Sequence, residues 1–186
     1  MGHRFEVEKR DILVDQDRQY RQPAGRILDR ARVNEGERWG DLGCGVGYFT
    51  LPLAERGVSV IALDAQRQML DALSERLDNQ DRTRVCPVLS EMPPIALRDD
   101  SLDRAILVNV LHEVEEREFL SSEVLRILRP GGRLTLIDFP LEEAPFGPPL
   151  WERLSPEEAM RVFGRMTLDR RWDLCGYYHL ELRKGI

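Results

Sequence analysis

The sequence predicts an α/β fold, a mostly parallel sheet with helices on both faces. From Trp39 onward, short apolar runs alternate with longer amphipathic segments, which is the rhythm of consecutive strand-helix units. A glycine-rich turn separates the first of these runs from the helical segment that follows it. The chain of 186 residues is also long enough to bury a continuous core without disulfides or a structural metal, so one domain is expected.

The expected strands are residues 38–42, 58–63, 84–89, 102–109 and 133–139. Between them, helical spacing puts Leu70, Leu73 and Leu77 on one face, and Leu120, Val124, Ile127 and Leu128 on another, both suited to packing on the sheet. Pro130 cannot continue the second of these helices, and Gly131 and Gly132 permit a turn into the next strand. Ahead of the sheet, residues 23–33 read as an amphipathic helix with Ile27 and Leu28 inward and Pro23 near its first turn. After the fifth strand, Pro140, Pro145, Gly147, Pro148 and Pro149 predict an extended surface loop facing the substrate. Ser155, Pro156, Glu157 and Glu158 then read as the N-cap, first-turn proline and dipole-complementing acids of a helix. Segments 167–172 and 177–182 are expected to close the chain as paired strands. The expected organisation is a helical flank (1–35), a core (36–139) and a loop, helix and hairpin (140–186).

Charge and cysteine usage narrow the function. With 33 acidic and 27 Lys and Arg residues the net charge is −6, so the broad positive field of nucleic-acid binders is missing and such a partner is disfavoured. Cys44, Cys86 and Cys175 are odd in number and far apart, without metal-ligand spacing. A reducing, cytoplasmic compartment is therefore expected, with no metal site and no membrane span.

The chemistry is carried by Asp41-Leu42-Gly43-Cys44-Gly45-Val46-Gly47, directly after the first strand and before a helix over 48–56. Glycines in such a turn adopt backbone conformations barred to other residues and let a ligand lie against the main chain. Asp41 discriminates among ligands, because a carboxylate there repels a pyrophosphate but favours the ammonium of a methionine-like group. The spacing is GxGxG, whereas dehydrogenases carry GxGxxG. Asp64 ends the second strand about twenty residues on, where a carboxylate accepts hydrogen bonds from ribose hydroxyls. Taken alone, Asp64 is equally a helix N-cap and Asp41 a polar strand end. Together with the turn they point to S-adenosylmethionine, with S-adenosylhomocysteine as the product.

The stretch from Trp39 to Phe139 resembles class I methyltransferases, particularly the type-11 group. Four blocks carry the resemblance: DLGCGVGYFT from Asp41, VIALDAQRQML ending at Leu70, SLDRAILVNVLHEV from Ser101, and LRPGGRLTLID from Leu128. The resemblance implies a Rossmann-like sheet of seven strands in the order 3-2-1-4-5-7-6 with strand seven antiparallel. It also implies cofactor contacts from Asp41, Gly43, Cys44, Gly45, Gly47, Asp64, Ala65, Met69 and Asn109. The adenine loop of the family usually carries an acid where this chain has Val88, so Leu89, Ser90 and Glu91 are the adenine candidates.

Transfer from a sulfonium is an in-line displacement, so the protein chiefly aligns acceptor and methyl group. A base helps where the acceptor must lose a proton, and His112 is then the best-placed histidine, with a packed helical histidine as the alternative. Glu113 reads as a first-turn helix acid. Tyr48 and Phe49 are aromatic candidates for the pocket or the core, and Tyr20 is a lid candidate. A small-molecule methyl acceptor is the leading expectation. Methylation of protein or nucleic acid is a second class, disfavoured because Asn109-Val110-Leu111-His112 lacks an Asn-Pro-Pro-aromatic signature. A noncatalytic cofactor-binding protein, or a dehydrogenase, is the third.

Overall fold

In the computed structural model, which describes residues 14–79 and 81–186, the glycine turn lies at the C-terminal edge of a seven-stranded sheet. Helices α1 (Gln16–Arg21) and α2 (Ala24–Ala31) precede β1 (Arg38–Leu42). They are followed by α3 (Thr50–Glu55), β2 (Ser59–Asp64), α4 (Arg67–Arg76), β3 (Val85–Leu89) and β4 (Leu102–Val108). The chain continues through α5 (Arg117–Ile127), β5 (Leu128–Asp138), α6 (Pro156–Val162), β6 (Met166–Leu174) and β7 (Tyr177–Lys184). The strand order is β3-β2-β1-β4-β5-β7-β6, with β7 antiparallel to β5 and β6, as the resemblance implies. The first thirteen residues of the expected helical flank lie outside the described residues.

Strand alternation sends successive residues to opposite faces and divides the core in two. In β4, Ala105 and Leu107 join the α5 and α6 side with Leu120, Val124, Ile127 and Ala159, whereas Ile106 and Val108 join the other side with Ile27, Leu53 and Leu73. Ile27 and Leu28 of α2 are fully buried, as their spacing predicts. Ser155 caps α6 in a full capping box with Glu158, and Pro156 occupies the first turn.

The fifth strand corrects the sequence reading. Its pairing begins at Leu128, opposite Leu102, and resumes with Arg133 opposite Arg104, so Arg129–Gly132 bulges out of the strand rather than preceding it. A Cβ on Gly132 would lie 2.8 Å from the Arg129 carbonyl oxygen, which explains why glycine stands there. Boundaries elsewhere move by a few residues, and α3 is shorter than expected because the turn extends through Phe49.

Candidate active site

The glycine turn is built by backbone hydrogen bonds to the neighbouring strand. The amides of Gly43 and Cys44 both donate to the Leu63 carbonyl, at 2.8 and 2.9 Å. Gly43, Gly45 and Gly47 all have positive φ, and a Cβ on Gly43 would strike the Val110 side chain. Asp64 braces the turn from β2. One of its carboxylate oxygens accepts from the Gly45 amide at 2.8 Å, and the other accepts from the Gln66 amide at 2.9 Å. Asp64 is therefore not the N-cap of α4, a position held by Gln66.

Asp41 is buried beneath the turn and accepts a 2.5 Å hydrogen bond from the Thr50 hydroxyl. Burial pushes its pKa up to about 6, against the opposing pull of the Thr50 hydrogen bond and the Arg18 guanidinium. A buried acid of this kind suits an incoming cation, which restores the counter-charge that water would have supplied. Cys44 is buried and its thiol is pushed well up, first by burial and then by Asp41 and Asp64. That makes it a small packing residue and not a nucleophile.

The other predicted cofactor residues divide between the cleft and the core. Ala65 follows Asp64 and is half-buried, while Met69 packs with Val46 and Ala72 underneath the turn. Ser90 is buried and its hydroxyl is spent inside its own loop, donating to the Glu91 carbonyl and accepting from the Ala96 amide. Leu89 and Glu91 are exposed at the end of β3. Asn109 has φ of 56° just beyond β4, and its side-chain oxygen accepts from the Gln22 amide group at 3.0 Å. Gln22 is fully buried, and its carbonyl accepts from the Tyr48 hydroxyl at 2.7 Å. The chain entering from α1 is thus pinned over the turn by Gln22. Tyr20, by contrast, is 78% exposed, so the inward-facing groups here are Arg18 and Gln22. Phe49 is core.

Beside Asn109, a second set of polar groups converges. His112 lies in a 3₁₀ turn, Leu111–Glu113, not in a helix, and its Nδ1 is 2.7 Å from Asp138 Oδ1. The other oxygen of Asp138 accepts from the His112 amide at 3.2 Å, and Oδ1 also accepts from the Phe139 amide. This doubly held carboxylate fixes the ring and assigns the proton of the neutral imidazole to Nδ1, leaving the Nε2 lone pair available. Burial lowers the His112 pKa, but Asp138, helped by Glu113 and Glu152, acts against it and the net shift is upward. Glu113 Oε1 is 3.8 Å from Nε2, and burial pushes this acid up to about 7, with Asp138, Asp64 and Glu152 adding to the rise. The ring of Phe139 meets His112 edge-on at 5.4 Å and leads to Tyr177 and Phe146, which form an aromatic wall. Among the described residues, no group of acids, cysteines and histidines is placed to hold a metal.

Sequence reasoning missed Asp138, Gln22, Arg18 and the half-buried setting of Glu113. Asp138 was detectable, because Asp41, Asp64 and Asp138 all lie at or next to the C-terminal ends of parallel strands, where α/β folds gather their ligands.

Comparison with known proteins gives the family and the fold. The profile of the type-11 family, described as "Methyltransferase domain", matches residues 40–136. An uncharacterised methyltransferase of Mycobacterium tuberculosis is 38% identical over 97 residues, covering 52% of this chain and 37% of that protein. A demethylmenaquinone methyltransferase of Paenarthrobacter aurescens is 27% identical over 159 residues, covering 86% of this chain and 58% of its own length. The chain thus spans well under two thirds of these curated relatives. A solved methyltransferase from Aquifex aeolicus shares the fold with a TM-score of 0.88 at 24% identity, covering 97% of this chain and 99% of that one. Among the described residues, no helix is long and apolar enough to cross a membrane. With the glycine turn, its two acids and the strand order all in agreement, the chain belongs to the type-11 family of class I S-adenosylmethionine-dependent methyltransferases.

Proposed function

We propose that this protein methylates a small-molecule acceptor, with His112 removing the acceptor's proton and Asp138 holding the imidazole in register. One observation carries the reading: the 2.7 Å His112–Asp138 pair sits at the ends of β4 and β5, three residues beyond Asn109 and on the same sheet edge as the glycine turn. The chemistry of the residues fits the cofactor. Two strand-end acids flank a glycine turn whose close packing on Val110 admits no side chain at Gly43, and this pair of carboxylates suits an ammonium and a ribose better than a pyrophosphate. S-adenosylmethionine supplies an electrophilic methyl group when bound.

The chain's own residues then have three tasks. Asp41 neutralises an ammonium, and Asp64 holds Gly45 while offering its remaining lone pairs to ribose hydroxyls. His112 Nε2 takes the proton as the acceptor attacks, and the resulting imidazolium is stabilised by Asp138. Phe139, Phe146 and Tyr177 form an apolar wall that keeps water from the reacting atoms. The acidic net charge favours a small acceptor over nucleic acid, and the relatives named for demethylmenaquinone support a ring-borne one.

The test is calorimetric titration with S-adenosylhomocysteine and with NAD, followed by an acceptor screen that begins with naphthoquinols. Saturable binding of the homocysteine product, weakened in Asp64→Ala, is expected, with turnover on an acceptor lost in His112→Gln. A preference for NAD, or turnover that survives His112→Gln on an acceptor that must lose a proton, would overturn the reading.

A further inference from the structure

The geometry points to Arg117 as the positioning residue for His112, joining the backbone of the proposed base to the wall of the cavity beside it. This rests on His112 being the base proposed above.

Arg117 opens α5 between Glu116 and Glu118, in a first turn where a cation opposes the helix dipole. Its half-buried side chain is used away from the helix. The Nε donates to the Leu111 carbonyl, and one terminal nitrogen donates to both the His112 carbonyl and the Glu152 carbonyl, each at 3.4 Å. The planar fork of a guanidinium can serve three carbonyls at once, which an ammonium on a flexible stem cannot do in a fixed geometry.

His112 needs such a hold. Its 3₁₀ turn, Leu111–Glu113, is three residues long, too short for a ladder of its own to fix it. Asp138 takes the ring and the amide of His112, and Arg117 takes the carbonyl. A residue gripped by Asp138 alone could still pivot about one carboxylate. The second grip, from a different element, sets the direction in which Nε2 points.

The other end of the bridge lies in the β5–α6 connection. Glu152 ends the 3₁₀ turn Leu150–Glu152, next to Trp151, which is 83% exposed. Arg117 lines a cavity of about 490 Å³ together with Leu141, Leu150, Trp151 and Leu154. One guanidinium therefore spans the base turn and the cavity wall, and a load on that wall reaches His112 through it. The other arginines at this cavity are engaged differently: Arg153 donates to three carbonyls of its own loop, and Arg161 is exposed and paired with Glu158.

The experiment follows the ring N–H protons of His112 and His179 by NMR in the full-length protein with S-adenosylhomocysteine, in wild type, Arg117→Ala and Arg117→Lys, using His112→Gln for assignment. His179 is the internal reference, buried on the opposite face of the sheet with its Nε2 2.8 Å from Glu181. Arg117→Ala is expected to speed solvent exchange of the His112 ring proton roughly 3- to 10-fold and to leave His179 as it is. Turnover of an acceptor that must lose a proton should fall about 10- to 100-fold in kcat, with acceptor KM and product affinity unchanged. Arg117→Lys should lie nearer wild type in both readouts. Faster exchange at both histidines would overturn the assignment by showing that Arg117 only supports the fold, and unchanged exchange at His112 would overturn it directly. A raised KM at constant kcat would overturn it by making Arg117 an acceptor contact. Turnover that survives His112→Gln would instead remove the base reading, and the ring-proton comparison would still decide whether Arg117 holds the turn.

Discussion

The two halves of the cleft are made by different means. On the β1–β2 side the site is backbone: glycines in unusual conformations, amides hydrogen-bonded to Leu63, and one carboxylate bracing the turn within twenty residues of it. On the β4–β5–β7 side the site is side chain: His112 held by Asp138, and Phe139 packed on Phe146 and Tyr177. A backbone cradle fixes a ligand's shape and tolerates little change. A side-chain wall can be altered residue by residue, which suits the half proposed to select an acceptor. The division predicts that substitutions on one side should affect binding of S-adenosylhomocysteine, and on the other should affect turnover.

The largest effect is expected on the side-chain half. His112→Gln and Asp138→Asn should each lower turnover of an acceptor that must lose a proton by roughly 10²- to 10⁴-fold, while leaving product affinity unchanged by calorimetry. Asp138→Asn keeps the shape but cannot stabilise an imidazolium, so a fall in turnover with folding intact distinguishes catalysis from packing. If either substitution weakened product binding as strongly as it slowed turnover, the two halves would not be separable. Because the His112 pKa is raised, turnover should climb with pH through that raised value, and Asp138→Asn should move the rise to lower pH.

Asp41→Asn should act on the other half. Product affinity is expected to drop by about 10- to 100-fold, without a change in how acceptors are discriminated. Its pH behaviour has a definite sign. A folded-state pKa raised to about 6 means that the native protein holds this proton more tightly than the unfolded chain does, so the stabilisation is complete at low pH and is lost as pH rises through about 6. The ligand-free protein should therefore gain stability at neutral pH from Asp41→Asn, by up to about 3 kcal/mol, read as a higher Tm. Wild-type product affinity should weaken as pH falls through about 6, and the variant should show a flatter profile.

Legibility in the sequence follows the same division. The turn is read easily because its determinants are local and its residue type is diagnostic: only glycine serves at φ of +80° for Gly43 and +88° for Gly47. The strands and their order are recognisable because alternating apolar positions and the four family blocks are contiguous in the chain. Asp138 lies 26 residues from His112, and Gln22 lies 87 from Asn109, so no local pattern ties them together. Glu113 was read as a helix acid because its neighbours look helical, yet the chain makes only a 3₁₀ turn there and leaves it half-buried near three other carboxylates. The bulge at Arg129–Gly132 was read as a simple stop because proline and glycine signal a break without saying that pairing has already begun.

The smallest effects sharpen the comparison within a single connection, the one from β5 to α6. Arg153 is buried and donates to three carbonyls of the proline-rich loop: Pro148 at 2.8 Å, Glu142 at 2.6 Å and Phe146 at 2.7 Å. Arg153→Ala should strip the loop of all three and cost about 2 kcal/mol, with faster amide exchange over residues 140–149 and poorer acceptor turnover as Phe146 loses its seat. Two residues on, Ser155 caps α6, its hydroxyl accepting from the Glu158 amide at 3.2 Å while Glu158 accepts from the Ser155 amide at 2.8 Å. Ser155→Ala should cost about 1 kcal/mol, visible as a lower denaturation midpoint, and should leave the loop's exchange, product binding and turnover as they are. The Ser155 hydroxyl satisfies a helix amide, whereas Arg153 holds the loop that carries Phe146 of the aromatic wall. Equal effects of the two substitutions on turnover would mean that the loop answers to α6 as a whole, and that the acceptor wall extends beyond the residues that touch it.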